Sequence, residues 1–317
     1  MRDQHQHQHQ QQQVSPPRGE QHPTPTAPAA TRQRQVTQRF AVHARAWQDH
    51  YQSSDLPSRI YQRRHARTLA LLDQLNLPAG SPAALEVGPG AGYTTVALAR
   101  RGLTVTAIDA TPALLELTRR QVEAADLPLP GTGQGQVGLL LGDTHQLPVA
   151  DARFEVAVAL GVLPWLHTPA QGVAELARVL RPGGHLIVSA DNHARLTHRL
   201  DPWRNPALRP IRPAVKALLE VAKLREPRDR GVAATYHRTE EVDRLLVGAG
   251  LERRGGVTLG FGPLTLFGHP VLPPRPGQWV DRRLQQLADR GVPWLRSAGA
   301  HYLVMARKPR PPSNPTR

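Results

Sequence analysis

Residues 85 to 92 read Leu85-Glu86-Val87-Gly88-Pro89-Gly90-Ala91-Gly92, between a short apolar run at 83–87 and a stretch of helical character at 93–101. A strand that turns through glycines into a helix is the setting a nucleotide-binding loop requires. Gly88 and Gly90 permit backbone conformations and close approaches that a β-carbon blocks. Their spacing is Gly-x-Gly-x-Gly, not the Gly-x-Gly-x-x-Gly of the dinucleotide fingerprint. That favours a ligand with no pyrophosphate to seat on the helix N-terminus, and argues against a nicotinamide-dependent oxidoreductase.

Working outward, a strand at 103–108 leads into Asp109, about twenty residues past the loop, where nucleotide folds place an acid on the ribose hydroxyls. Thr111 is the expected N-cap of a helix over 112–124. A strand at 137–141 is followed by Gly142-Asp143-Thr144, a position suited to an adenine edge. Strands at 154–160 and 185–190 flank a helix at 170–180 that Pro182-Gly183-Gly184 stops. Upstream, 59–76 reads as a helix with Ile60, Leu69, Leu72 and Leu75 near one face and Arg63, Arg64 and Arg67 elsewhere. Downstream come a helix at 240–248, strands at 251–259 and 301–307, and a helix at 279–288 between those strands. The alternation predicts an α/β fold: a Rossmann-like, doubly wound, mostly parallel seven-stranded sheet with an inserted helical cap.

Residues 1–38 are low in complexity, with His5, His7 and His9 set among glutamines, and read as a disordered tail. The folded domain is placed at 39–307, with its core at 60–190 and the cap at 191–237; 308–317 read as a second, basic tail. Within the cap, 214–224 sets Val215, Leu218, Leu219 and Ala222 on one helical face, after Arg204, Arg209 and Arg212. The expected role is a lid over an acceptor pocket, because the cap follows the fifth strand on the ligand side of an open sheet. The same helix also suits contact with an anionic membrane surface. The run 261–267 is a further candidate wall of that pocket.

The chain has 317 residues, a formal net charge of +15 and no cysteine. Disulfides, thiolate metal sites and cysteine nucleophiles are thereby excluded. No apolar run reaches the roughly 18 residues a membrane-spanning helix needs, and no apolar signal core opens the chain, so a cytoplasmic protein is expected. The basic balance is carried by arginine; the lysines are Lys216, Lys223 and Lys308. That pattern fits coding bias as well as an anionic partner. Aromatic residues make up only 4% of the chain, which gives little support for a nucleic-acid stacking platform.

Taken together, Glu86 to Gly92, Asp109, Asp143, Leu147-Pro148 to Phe154-Glu155, and Glu175-Leu-Ala-Arg-Val-Leu-Arg-Pro-Gly-Gly184 resemble class I S-adenosylmethionine-dependent methyltransferases. The resemblance is strongest to the broad group of quinone-biosynthesis and small-molecule enzymes. It implies S-adenosylmethionine as cofactor, with Glu86, Gly88, Pro89, Gly90 and Gly92 around the methionine portion. It implies Asp109 on the ribose, Ala110 flanking the adenine, Asp143 and Thr144 at the adenine edge, and Leu160 and Gly161 near the methyl end. The implied reaction is direct in-line methyl transfer to a small-molecule or lipid-like acceptor, without a metal. The alternative is a nucleic-acid or ribonucleoprotein-binding protein on the same fold. Where the group often has polar residues after the fourth strand, this chain has Pro164-Trp165, so no base is carried over there. His167, just beyond that strand end, is the first candidate for a catalytic base, followed by His145, His193 and His198, with Tyr51 and Asp191 behind them. Cytosine-C5 methylation lacks its cysteine, and the Asn/Asp-Pro-Pro-aromatic motif of adenine-amino enzymes is missing from 160–165.

Overall fold

Strands covered by helices on both faces carry near-continuous aliphatic runs. Ala83–Val87 (β1), Thr104–Asp109 (β2), Val137–Leu141 (β3), Phe154–Leu160 (β4) and Leu180–Asp191 (β5) follow that rule, β4 being buried at each of its first six positions. Glu252–Leu259 (β6) and His301–Arg307 (β9) complete the main sheet, and the two-residue strands Thr265–Leu266 (β7) and His269–Pro270 (β8) form a separate hairpin. In this computed structural model, which describes residues 27–128, 136–208, 210 and 232–311, the seven-stranded sheet has the order β3-β2-β1-β4-β5-β9-β6. Strands β1 to β5 run parallel, and β9 inserts antiparallel between β5 and β6. The order reverses between β1 and β4, and a crevice for ligand is expected above their carboxyl ends.

Each face of the sheet has its own core, because alternate strand residues point opposite ways. Ala157 and Ala159 of β4 join Leu85, Val173, Leu176, Val242 and Leu246, the last four from Pro169–Val179 (α6) and Thr239–Gly248 (α8) on one side. Val156 and Val158 join Ala84, Val96, Leu98 and Val122 on the other, under Tyr93–Ala99 (α4) and Pro112–Glu123 (α5). Lys308, expected to open a basic tail, donates instead to the carbonyls of Ala177 and Leu180 at 2.7 and 2.8 Å, satisfying the end of α6. Residues 312–317 lie outside the described residues. No helix among the described residues is long and apolar enough to cross a membrane.

Two features of the N-terminal region depart from expectation. Leu56–Leu72 (α3) starts at Asp55, whose carboxylate accepts from the Ser58 amide at 2.8 Å. It buries Ile60, Arg64, Thr68 and Leu72, so Arg64 lies on the buried face and not off it. Second, Ala27–Val42 (α1) and Ala44–Gln52 (α2) precede α3, so helix occupies part of the tail assigned to 1–38. Val36 is buried, and Arg32 reaches Thr235 at 3.1 Å. Tertiary burial orders a stretch whose own amphipathic pattern is too weak to be read. Residues 1–26 lie outside the described residues, as does the helix expected at 214–224. The described parts of the cap run along the strand ends: Leu196–Leu200 (α7) leads to a buried Asp201, which accepts from Thr265 and Gly268, and Thr235 donates to Pro164 at 2.8 Å.

Candidate active site

The carboxyl ends of β1, β2, β4 and β5, roofed by α1, α2 and α3, enclose a cavity of about 1120 Å³ counting its open mouth. Its floor is the glycine loop. Gly88 and Gly90 have φ of +69° and +60°. A β-carbon on Gly88 would also stand 2.6 Å from Val162 Cγ2. Of the residues expected to surround a cofactor, Glu86, Gly88, Pro89, Gly90, Asp109, Ala110, Asp143, Thr144, Leu160 and Gly161 all line this cavity. Gly92 does not. It precedes α4 with φ +79°, where a β-carbon would meet Thr118 Cα at 2.9 Å, so its part is to let α4 and α5 pack closely.

The loop end is acidic and desolvated. Glu86, which accepts from the Thr95 hydroxyl, has its pKa pushed up to about 7 by burial, with nearby Asp109 adding to the rise. Burial likewise lifts Asp109 to about 6, against the pull of the Thr111 amide that donates to it at 2.8 Å. Thr111 thus contributes its N–H here and makes no side-chain cap on α5. Asp143 is different: burial raises it, but hydrogen bonds from the His145 ring and amide, at 2.7 and 2.9 Å, outweigh that and hold it low. Two carboxyls that pay for burial with no cation in contact among the described residues favour a ligand that brings positive charge and hydroxyl donors.

The opposite end is aromatic. The chain has five Trp, five Tyr and four Phe, and Phe40, Trp47, Tyr51, Tyr61 and Trp165 all line this one cavity. Phe40 meets Trp165 edge-on at 4.9 Å and stacks on Trp47 at 5.6 Å; Trp47 meets Tyr61 edge-on at 5.7 Å. Such packing fixes the rings relative to one another. Two charged groups stand among them, Arg64 and Asp191. Asp191 lies 2.9 Å from His301 Nδ1 and 3.9 Å from Arg195. Burial raises its pKa, but His301 and the two arginines bring it below the ordinary value.

His167 is not among the lining residues. Its ring stacks on His145 at 3.6 Å, and Nδ1 lies 2.9 Å from Thr168 Oγ1. His198 is buried away from the cavity, its pKa lowered by burial to about 4. Tyr51 and Asp191, the reserve candidates, are the ones that reach the cavity. The aromatic roof at 40, 47 and 61 was not expected. Its trace in the sequence is density: Phe40, Trp47, Tyr51 and Tyr61 fall close together in a chain poor in aromatics.

A family model described as a methyltransferase domain matches residues 85–188. An uncharacterized methyltransferase of Mycobacterium tuberculosis is 36% identical over 110 residues, covering 35% of this chain and 40% of that protein. The malonyl-[acyl-carrier protein] O-methyltransferase of Serratia marcescens is 32% identical over 120 residues, 38% of this chain and 42% of that one. The chain thus spans about two fifths of the length of the curated relatives it matches. Among solved structures, magnesium protoporphyrin IX methyltransferase from Synechocystis, with S-adenosylhomocysteine bound, superposes with a TM-score of 0.53 at 15% identity, over 87% of this chain and 99% of that one. That likeness is one of fold.

Proposed function

Because residues 85–188 form a class I S-adenosylmethionine-dependent methyltransferase domain, we propose that the whole chain transfers a methyl group to a small, flat, largely apolar acceptor held under helices α1 to α3. The observation that carries this reading is the single cavity with two unlike ends, one built from the glycine loop, Glu86 and Asp109, the other from five aromatic rings. The acidic end fits the cofactor: a sulfonium and an ammonium suit Glu86, and a ribose diol suits Asp109. When bound, the cofactor supplies a methyl group already activated by its sulfonium.

The chain's own residues then have mainly to align. Gly88 and Gly90 let the backbone come close, Asp109 accepts from the two ribose hydroxyls, and Asp143 and Thr144 border the base. The aromatic walls hold the acceptor in line and exclude water. Alignment of this kind can supply about 7–11 kcal/mol of barrier reduction. The Serratia relative is named for O-methylation, and an oxygen acceptor is proposed here too. Its proton would pass to Asp191, or by way of Tyr51; His167 is not carried forward, since it does not line the cavity. The depressed pKa of Asp191 makes it a weak base, below the near-neutral value that suits a general base, so this reading requires an acceptor whose hydroxyl is itself strongly acidic.

The test is an acceptor screen with radiolabelled S-adenosylmethionine against cell extracts separated into small-molecule, lipid and RNA fractions. Label should enter the small-molecule or lipid fraction, and label confined to RNA would refute the proposal. A pH dependence follows as well. Glu86 and Asp109 bind protons more tightly in the fold than their ordinary values of 4.5 and 3.8 allow. The folded, unliganded protein therefore holds extra protons from about pH 4 to 7, and its stability falls as pH rises through that window. The cofactor's cation favours the ionised acids. Its affinity should then rise about tenfold between about pH 5 and 7.5, as Asp109 passes its pKa of about 6. Calorimetric titration with S-adenosylmethionine across that range would show a flat profile if neither acid meets the ligand.

A further inference from the structure

Arg64 has no role in the chemistry described so far, yet its placement is costly. It sits on α3, is only 4% exposed, and lines the cavity. A guanidinium stays protonated inside proteins, and a buried charge is tolerated where a counter-charge or dense hydrogen bonding meets it. Here neither is complete. Arg64 meets the Tyr51 hydroxyl and is attracted by Asp191 at longer range, but among the described residues no carboxylate is in ion-pair contact with it, and its Nε is buried without a hydrogen-bond partner. Asp191, the acid that shares its end of the cavity, is already engaged by His301 and Arg195. The Tyr61 ring lies 4.9 Å from the guanidinium carbon. On another side the group lies against Gly161, where a β-carbon would stand 2.9 Å from Nη1. Glycine at the end of β4 therefore leaves space for the fork to lie flat at the junction between the two ends of the cavity.

We propose that Arg64 is the receptor for a carboxylate at this junction. A planar fork that lines the cavity with its Nε unsatisfied fits a carboxylate, which such a fork grips through two parallel N–H···O bonds. Tyr61 buttresses its face, and Gly161 sets its depth. The proposal rests on the methyltransferase reading above, and that reading offers two sources of the carboxylate. One is the amino-acid end of the cofactor, for which Glu86 lines the same cavity as a partner for the ammonium. The other is an acidic acceptor lying among the aromatic rings. In the second case the carboxylate oxygen forms the new bond to the methyl carbon, the carbon–sulfur bond breaks with its electron pair going to sulfur, and the two opposite charges cancel with no proton released.

Calorimetry with the full chain tests the proposal in two arms. The first compares S-adenosylmethionine with its decarboxylated form. The second uses protein saturated with S-adenosylhomocysteine and compares naphthalene-2-carboxylate with naphthalene-2-carboxamide. Arg64 acting as receptor should give at least a tenfold preference for the carboxylate-bearing ligand in one arm. Arg64→Met should abolish that preference, and Arg64→Lys should restore part of it. The arm in which the preference appears identifies the source. No preference in either arm, or a preference that Arg64→Met leaves intact, overturns the proposal. S-adenosylhomocysteine failing to bind the unmodified chain would instead remove the methyltransferase reading beneath it, so the two failures are distinct. Should Arg64→Met not fold, as judged by circular dichroism, Arg64→Gln keeps hydrogen-bond donors without the charge and serves the same comparison.

Discussion

A variant beginning at Ala44, and so lacking α1, should lose at least a hundredfold in turnover while its cofactor affinity falls only several-fold. Helix α1 contributes Gln33, Val36, Thr37 and Phe40 to the cavity. Phe40 is the ring that joins Trp47 to Trp165. Without it the aromatic end opens to water and the acceptor loses one wall, and misplacement by about 1 Å is enough to cost about a hundredfold in rate. The sheet and its two cores, in contrast, contain nothing from α1. The truncated chain should therefore keep its far-ultraviolet circular dichroism and most of its melting temperature. Phe40→Ala should reproduce a large part of the loss from a single position. Unchanged turnover in both variants would show that the acceptor lies elsewhere.

The second large effect is expected at Asp109. Asp109→Ala should weaken S-adenosylmethionine binding at least about a hundredfold, since it removes two charged hydrogen bonds worth about 1.5–3 kcal/mol each. The unliganded protein should not suffer in proportion. Asp109 is a buried acid whose pKa burial has raised to about 6, so at neutral pH, where it is ionised, it costs the fold stability. Asp109→Asn, which retains an acceptor for the Thr111 amide, should leave the melting temperature unchanged or raised at about pH 7.5, with affinity still down. Calorimetry and thermal melting on the same samples separate the two quantities. A variant that binds the cofactor normally would displace Asp109 from the site.

How much of this could be read from the chain depends on how local each cause is. The turn through Gly88 and Gly90, and the acid at the end of β2, follow from a few consecutive residues and were legible. So was the sheet, because each strand is a short aliphatic run set off by helix and turn signals. Arg64 was misplaced for the opposite reason. In a helix whose apolar residues mark one stripe, an arginine reads as solvent-facing; here the buried face of α3 also borders the cavity at Tyr61 and Arg64, and the fork is buried against Gly161, nearly a hundred residues away in sequence. Helix α1 was missed likewise, since what orders it includes Val36 buried against the body of the domain and Arg32 at Thr235. His167 looked promising from its nearness to the end of β4, but nearness along the chain did not decide its direction: the ring turned to stack on His145.

The two ends of the cavity also fall unevenly along the chain. The stretch shared with the family is 85–188, and it contains the glycine loop, Asp109, Asp143 and the end of β4. Phe40, Trp47, Tyr51, Tyr61 and Arg64 all come before it, and Asp191 just after. The residues proposed to meet the donor thus lie inside the matched stretch, while four of the five rings proposed to meet the acceptor lie before it and Trp165 lies within it. Substitutions at Phe40, Trp47 or Tyr61 should therefore change what is modified more than they change cofactor affinity, a division of labour through which such a chain can acquire new clients without reinventing its trade.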